Sequence, residues 1–121
     1  MNIKRGNIYL ASLDPVIGNE INKTRPVIVI SNDINNQYSN TVTVIPITSN
    51  TIKLYPFEVF LKSGVGNLPK DSKARTDQIR TLDKSRIIKE IGTIPEGIIL
   101  ELENSMIIHL GIKKLYPQNP T

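Results

Sequence analysis

Short runs of Ile, Val and Thr recur along the first two thirds of the chain, and Gly, Pro, Asn or Asp interrupts each within a few residues. β-branched side chains lose rotamer freedom in a helix and pack well on a pleated surface, so this pattern predicts strands. The runs cover residues 7–11, 26–31, 41–48 and 57–61, followed by 78–82 and 87–92. No long helical pattern separates them, which argues against a parallel sheet of βαβ units and for a small antiparallel barrel. Pro46 falls inside the third run. Proline has no N–H to give to a ladder, so it predicts an edge or a bulge at that point.

Residues 96–110 carry the one substantial helical pattern, with Pro95 near the first turn, Glu96 favourable to the helix dipole and Gly111 as the stop. At 100° per residue Ile98, Ile99, Leu102, Met106 and Leu110 share a face that should bury against the sheet. Leu100 and Ile107 lie roughly opposite, and either another subunit, giving a homodimer, or another part of the same chain would cover them. His109 projects onto the apolar stripe beside Ile98 and Leu102, where it reads as structural. From Lys113 onward two prolines and the absence of periodicity predict a frayed tail, so the expected division is a domain over 1–112 and a flexible segment over 113–121.

A chain of 121 residues with 39% hydrophobic side chains has material for one core and no room for a second domain. There is no cysteine and only one histidine. Disulfide frameworks, thiolate chemistry, paired-histidine catalysis and the usual transition-metal sites are therefore largely excluded, and a reducing compartment is expected. The apolar stretch after Lys4 and Arg5 is short and broken by Asn7 and Asp14, unlike a signal peptide, and no run approaches membrane-spanning length. A cytoplasmic protein is the expectation. The formal net charge is +4, and its distribution is uneven. Residues 70–90 carry seven basic side chains (Lys70, Lys73, Arg75, Arg80, Lys84, Arg86, Lys89) against four acidic ones, whereas residues 96–111 carry three acidic side chains and no Lys or Arg. A polyanion would be drawn to the first segment and repelled by the second.

The connection from Asp14 to Arg25 joins the first two predicted strands through about a dozen residues, a length that in a compact domain usually marks function or disorder. It ends by setting Arg25 directly before Pro26, at the mouth of a rigid strand. From the residues alone a solvated hairpin with ordinary charges is the favoured reading.

The segments RGNIYLASLD (5–14), PVIGNEINKTRPVIVISND (15–33), NTVTVIPITS (40–49) and DQIRTLDKSRI (77–87) together resemble, in order and over nearly the whole chain, the MazF/PemK family of toxin endoribonucleases. That resemblance implies an SH3-like antiparallel barrel of the CcdB/MazF type with a C-terminal helix, acting as a homodimer that cuts single-stranded RNA, including mRNA, at short sequences. It places Arg25 and Thr48 at the catalytic positions. Glu20, Lys23, Ser49, Asp77, Gln78, Arg80 and Thr81 match positions near the RNA groove. It also implies an acidic antitoxin as partner and no metal or cofactor. Arg75 and Thr76, just before the DQIRT stretch, and Ile17 in the loop depart from the pattern common among relatives, which bears on which bases are read.

RNA supplies its own nucleophile, the 2′-hydroxyl, so an enzyme need only assist proton transfer and stabilise charge on the phosphate. Arg25 can present a planar fork to phosphate oxygens and Thr48 can donate its hydroxyl to the same group. The expected products are a 2′,3′-cyclic phosphate and a 5′-hydroxyl. An arginine with a pKa above about 12 is a poor base at neutral pH. Acid–base work by Arg25 therefore rests on the resemblance, and water or Glu20 as proton acceptor stays open. Two other classes compete. A CcdB-like inhibitor of gyrase would need neither Arg25 nor Thr48, and a non-enzymatic RNA-binding barrel is disfavoured by an aromatic content of 5%.

Overall fold

A computed structural model describes residues 1–113. The predicted tail, apart from Lys113, lies outside the described residues. Seven strands, β1 (Asn7–Ser12), β2 (Thr24–Val29), β3 (Thr41–Thr48), β4 (Glu58–Leu61), β5 (Ser72–Arg75), β6 (Arg80–Asp83) and β7 (Ile87–Thr93), pair in the order β4-β5-β3-β2-β1-β7, with β6 added to β3. Every pairing is antiparallel. Two helices complete the fold, a short α1 (Asp33–Tyr38) and α2 (Glu96–Leu110).

β3 is the hub. One edge pairs with β2, and the other pairs first with β6 (Thr41 to Val44) and then with β5 (Ile47 and Thr48). Pro46 is therefore in neither an edge strand nor a bulge. The Thr43 carbonyl accepts from Ile30, on the β2 side. Backbone groups alternate along an antiparallel strand, so Pro46 turns its missing N–H toward the opposite edge, at the gap where β6 ends and β5 has not begun.

Strand alternation sorts the apolar residues into two clusters on opposite faces of this hub. Ile28, Ile45 and Ile47 join Val59, Leu61, Ala74, Ile99 and Leu102. Val27, Val29, Val42 and Val44 join Tyr9, Ala11, Leu13 and Leu82. Full burial of each large aliphatic side chain contributes roughly 1.5–3 kcal/mol, so β3, apolar on both faces, anchors the fold.

The expected barrel is not closed by hydrogen bonds, since β4 and β7 both end the ladder. A 3-10 turn at Val65–Asn67 covers the opening by lying on β7. Asn67 Nδ2 donates to the Ile91 carbonyl at 3.0 Å, and a side chain on Gly92 would run into the Gly66 carbonyl.

Three local expectations shift. Residues 76–78 form a 3-10 turn, so the strand expected from Gln78 starts at Arg80. β5 and α1 were not predicted: β5 alternates charge with Ala, and α1 consists of residues that read as a turn until Asn32 caps it, its side chain accepting from the Asn35 N–H at 2.8 Å. α2 has the predicted bounds and buries Ile99 and Leu102, with Ile98 and Met106 packed beside them. Leu110, expected on the buried face, is 52% exposed because the last turn of the helix runs past the sheet. His109 is likewise exposed rather than set in an apolar stripe, its ring tilted against Phe57 at 5.9 Å. Among the described residues no helix is long and apolar enough to cross a membrane.

Candidate nucleic-acid interface

The β2–β3 register runs Val29↔Val44, Ile28↔Ile45, Val27↔Pro46 and stops. Beyond it the two strands take separate partners, Arg25 standing beside Ala11 of β1 and Thr48 beside Lys73 of β5. Two pockets of about 330 Å³ each open at this end of the sheet. The first is lined by Lys23, Thr24, Arg25 and Pro26 on the β2 side, Ile47 and Ser49 on the β3 side, and the stretch that includes Lys70 and Ser72. The second is lined by Thr48, Asn50, Ile52, Lys53, Tyr55, Lys73 and Arg75.

Thr48 and Ser49 are consecutive at the end of an extended segment, so their side chains turn to opposite sides and each serves a different pocket. Arg25 and Thr48 thus do not share one cavity. Past Val27 and Pro46 the two strands separate, and the end of β3 stands as a ridge between the pocket that Arg25 lines and the pocket that Thr48 lines. Each side of that ridge carries cations: Lys23, Arg25 and Lys70 on one, Lys53, Lys73 and Arg75 on the other.

The donors on the ridge are only partly engaged. Arg25 Nε donates to the Asn22 carbonyl at 2.7 Å, which orients the guanidinium, and its two terminal nitrogens have no acceptor among the described residues. Thr48 Oγ1 accepts from the Asn50 N–H at 3.3 Å and so keeps its own proton for an acceptor in the pocket. Lys23 holds a left-handed backbone (φ 70°) and is exposed, with its carbonyl accepting from the Leu13 N–H.

The remaining predicted residues fall elsewhere. Glu20 turns onto its own loop, accepting from the Ile17 N–H at 2.7 Å. Gln78 Oε1 accepts from the Ile21 N–H at 3.3 Å, and Arg80 Nη1 donates to the Leu13 carbonyl at 3.3 Å. These two bonds pin the β1–β2 connection to the body of the protein. Arg86 adds to them by donating to the carbonyls of Ser12 and Asp14. Asp77 meets Arg75 through two hydrogen bonds, of 2.8 and 2.7 Å, which hold its carboxyl below the usual carboxylate range and push the Arg75 guanidinium up. Thr81 is exposed on β6, across from Thr43.

Sequence reasoning did not single out Lys70, Lys73 or Glu58 as site residues. Glu58 Oε2 lies 3.1 Å from Lys73 Nζ and 3.0 Å from Arg75 Nε. Lys73 Nζ also donates to the Lys53 carbonyl at 2.6 Å. The concentration of basic residues from Lys70 onward was the only available signal, because nothing local pairs β5 with the end of β3. Among the described residues no cluster of three or more His, Cys, Asp or Glu side chains is arranged to hold a metal ion.

A curved antiparallel sheet ending in two cation-lined pockets, with hydroxyl donors on the ridge between them, defines a small β protein suited to hold a polyanion at one end of its hub strand. Comparison with known proteins narrows this class. The profile of the PemK-like, MazF-like toxins of type II toxin–antitoxin systems matches residues 4–110. The chain is 41% identical to Endoribonuclease MazF of Staphylococcus epidermidis over 111 residues, covering 91% of this chain and 92% of that protein. It is 36% identical to Endoribonuclease MazF9 of Mycobacterium tuberculosis over 115 residues, covering 91% and 98%. The crystal structure of MazF from Deinococcus radiodurans superposes with a TM-score of 0.82 at 26% identity, covering 93% of this chain and 99% of that one. The chain belongs to the PemK-like, MazF-like toxin family.

Proposed function

We propose that this toxin is an endoribonuclease that cuts single-stranded RNA with the scissile phosphate seated on the ridge between the two pockets. The observation that carries the reading is the placement of Arg25 and Thr48 on opposite sides of that ridge, each with donors to spare, in a chain closely related to two endoribonucleases. A phosphodiester backbone crossing the ridge meets the terminal nitrogens of Arg25 from one side and the Thr48 hydroxyl from the other. Both donate to non-bridging oxygens whose charge grows as the 2′-hydroxyl attacks phosphorus. The 2′-hydroxyl gives up its proton to water as its oxygen bonds to phosphorus, the bond from phosphorus to the 5′-oxygen of the next nucleotide breaks, and that oxygen takes a proton from water, giving a 2′,3′-cyclic phosphate and a 5′-hydroxyl without a metal. Arg25 acts here as a charge stabiliser. Glu20, turned onto the Ile17 N–H, is not aimed at the ridge as a base.

Lys23, Ser49, Lys70 and the cations of the second pocket bind flanking phosphates and bases. Gln78 and Arg80 support binding through the loop they pin, and Asp77 through Arg75. As a family toxin the chain is inhibited by an antitoxin, and an acidic segment laid over the same cations would exclude RNA. Leu100, Ile108 and Leu110 are all more than half exposed on α2, an apolar surface that fits a homodimer. The site of action is the cytoplasm, where mRNA is available.

Cleavage of an unstructured RNA in EDTA by wild type, Arg25→Ala and Thr48→Ala tests this. Each variant, shown folded by circular dichroism, is expected to lose roughly 10²–10³ in rate, the scale for removing one preorganised donor. Undiminished cutting by both variants refutes the site. A 5′-phosphate on the downstream product refutes the mechanism.

A further inference from the structure

We propose that the pocket on the Thr48 side of the ridge is a subsite for one nucleotide of the RNA, its base stacked on Tyr55 and its phosphate facing Arg75 and Lys53. This inference rests on the ribonuclease reading and deepens it.

The register of β3, β5 and β4 places Thr48, Lys73 and Phe60 side by side, and Arg75 beside Glu58. These residues share the face of the sheet opposite Ile47, Ala74, Val59 and Leu61, which enter the core. An outward face of this kind is ordinarily wet. Here Lys73 and Glu58 are nearly sealed, their side chains 8% and 1% exposed, because the segment after β3 folds back over them. Two bonds fasten it: Lys73 Nζ to the Lys53 carbonyl at 2.6 Å, and the Tyr55 N–H to Glu58 Oε1 at 2.8 Å. The pocket wall is therefore held by a buried ion pair.

The charges inside do not cancel. Glu58 is shared by Lys73 and Arg75, and Asp77 is taken by Arg75. Arg75 Nη1 and the Lys53 ammonium have no acceptor among the described residues, so positive charge remains at the mouth. Tyr55 is 46% exposed and lines this pocket. Its ring lies parallel to Phe57, with centroids 5.5 Å apart and planes 1° apart. The chain has only six aromatic residues, four Tyr and two Phe, so Tyr55 at this cation-lined pocket, backed by Phe57 and with Lys73 Nζ 5.9 Å from its ring centroid, is a local platform in an otherwise aromatic-poor protein. A stacking face beside backbone-tracking cations is the chemistry that holds single-stranded nucleic acid. A volume of about 330 Å³ lies near the lower end of the roughly 300–1,000 Å³ typical of ligand pockets, which suits one nucleotide. Thr48 lines the same pocket, so that nucleotide is next to the bond being cut.

The test begins by mapping the cleavage position of the full chain on an unstructured RNA. Oligonucleotides with a 2′-deoxy residue at that position resist cutting, and a single abasic residue is walked through the flanking positions. Affinities are read by fluorescence anisotropy for wild type, Tyr55→Phe, Tyr55→Ala and Tyr55→Leu, the last as a second probe should the alanine variant fold poorly. One abasic position is expected to weaken wild type and Tyr55→Phe by about tenfold, the scale of one lost base–aromatic stack, and to cost Tyr55→Ala and Tyr55→Leu nothing further. Equal penalties in all four proteins at every position overturn the subsite. So does a loss of affinity in the Tyr55 variants that sedimentation traces to a change of oligomeric state. Wild type that neither binds nor cuts the RNA would sink the ribonuclease reading itself, a result distinct from cutting without a Tyr55-dependent position.

Discussion

Replacing Glu58 by Met is expected to destabilise the protein more than replacing Lys73 by Met, and the double replacement is expected to cost less than the two together. The reasoning follows the donors and acceptors of the buried pair. Glu58 has the more sealed side chain, accepts hydrogen bonds from Lys73 Nζ at 3.1 Å and the Tyr55 N–H at 2.8 Å, and lies 3.0 Å from Arg75 Nε as an ion pair. Without it, Lys73 keeps only the Lys53 carbonyl for a buried ammonium, and the Tyr55 N–H loses its acceptor. Removing one partner of a buried pair typically costs about 3–5 kcal/mol. Removing Lys73 instead leaves the carboxylate with Arg75 and Tyr55, so the expected loss is about 1.5–3 kcal/mol, the range for a hydrogen bond to a charged group. In the double variant no uncompensated charge is buried, and two thioether side chains fill the space.

Equilibrium urea unfolding at one fixed protein concentration measures this, since any self-association makes stability concentration-dependent. With a slope of about 1–3 kcal/mol per molar urea, a loss of 3 kcal/mol moves the midpoint by about 1 M or more. The coupling energy from the cycle should lie between about 0.5 and 3 kcal/mol. A Glu58→Met cost below about 1 kcal/mol, or strict additivity, would show that the pair is solvated and does not hold the pocket wall.

Gly92→Ala is expected to lower stability by about 1–3 kcal/mol, because a methyl group there meets the Gly66 backbone, which cannot swing aside as a side chain would. Thermal melts beside Gly97→Ala, which meets nothing within 4 Å, check it, and equal melting temperatures for the two would refute it. The Asp77 carboxyl, held low by Arg75, contributes stability above the unfolded value of about 3.9 and loses it as pH falls through its lower folded value. Asp77→Asn should therefore flatten the fall in stability on acidification below about pH 4, leaving the slope from Asp33, held low by the Arg5 N–H and Asn36, and from Asp83, held low by Ser85. Identical acid limbs in urea titrations would count against the pairing.

Much of the architecture was legible because it rests on local pattern. Runs of β-branched residues made β1, β2, β3 and β7 visible, and the interval from Pro95 to Gly111 made α2 visible to the residue. β5 was hidden because Lys73 and Arg75 look like surface charge until β4 and the segment after β3 cover them. Leu110 and His109 were misplaced because helical periodicity says which residues share a face but not where the supporting sheet ends.

At the site, the motifs singled out Arg25 and Thr48, and the basic stretch pointed to a polyanion. The positions that resemblance attached to the RNA groove proved of two kinds: Lys23 and Ser49 line a pocket, while Gln78 and Arg80 hold a loop and Asp77 holds Arg75. The sequence alone determined the strand content, the terminal helix and the surplus of positive charge, since these depend on residue type and near neighbours, whereas the two residues on which the chemistry is proposed to rest were named by the family resemblance. Only the tertiary structure decided that Arg25 and Thr48 face different pockets across a ridge, and that Lys73, Arg75 and Tyr55 stand beside Thr48. Those relations come from strands far apart in sequence whose partners change where β2 and β3 separate, and no local pattern encodes a change of partner.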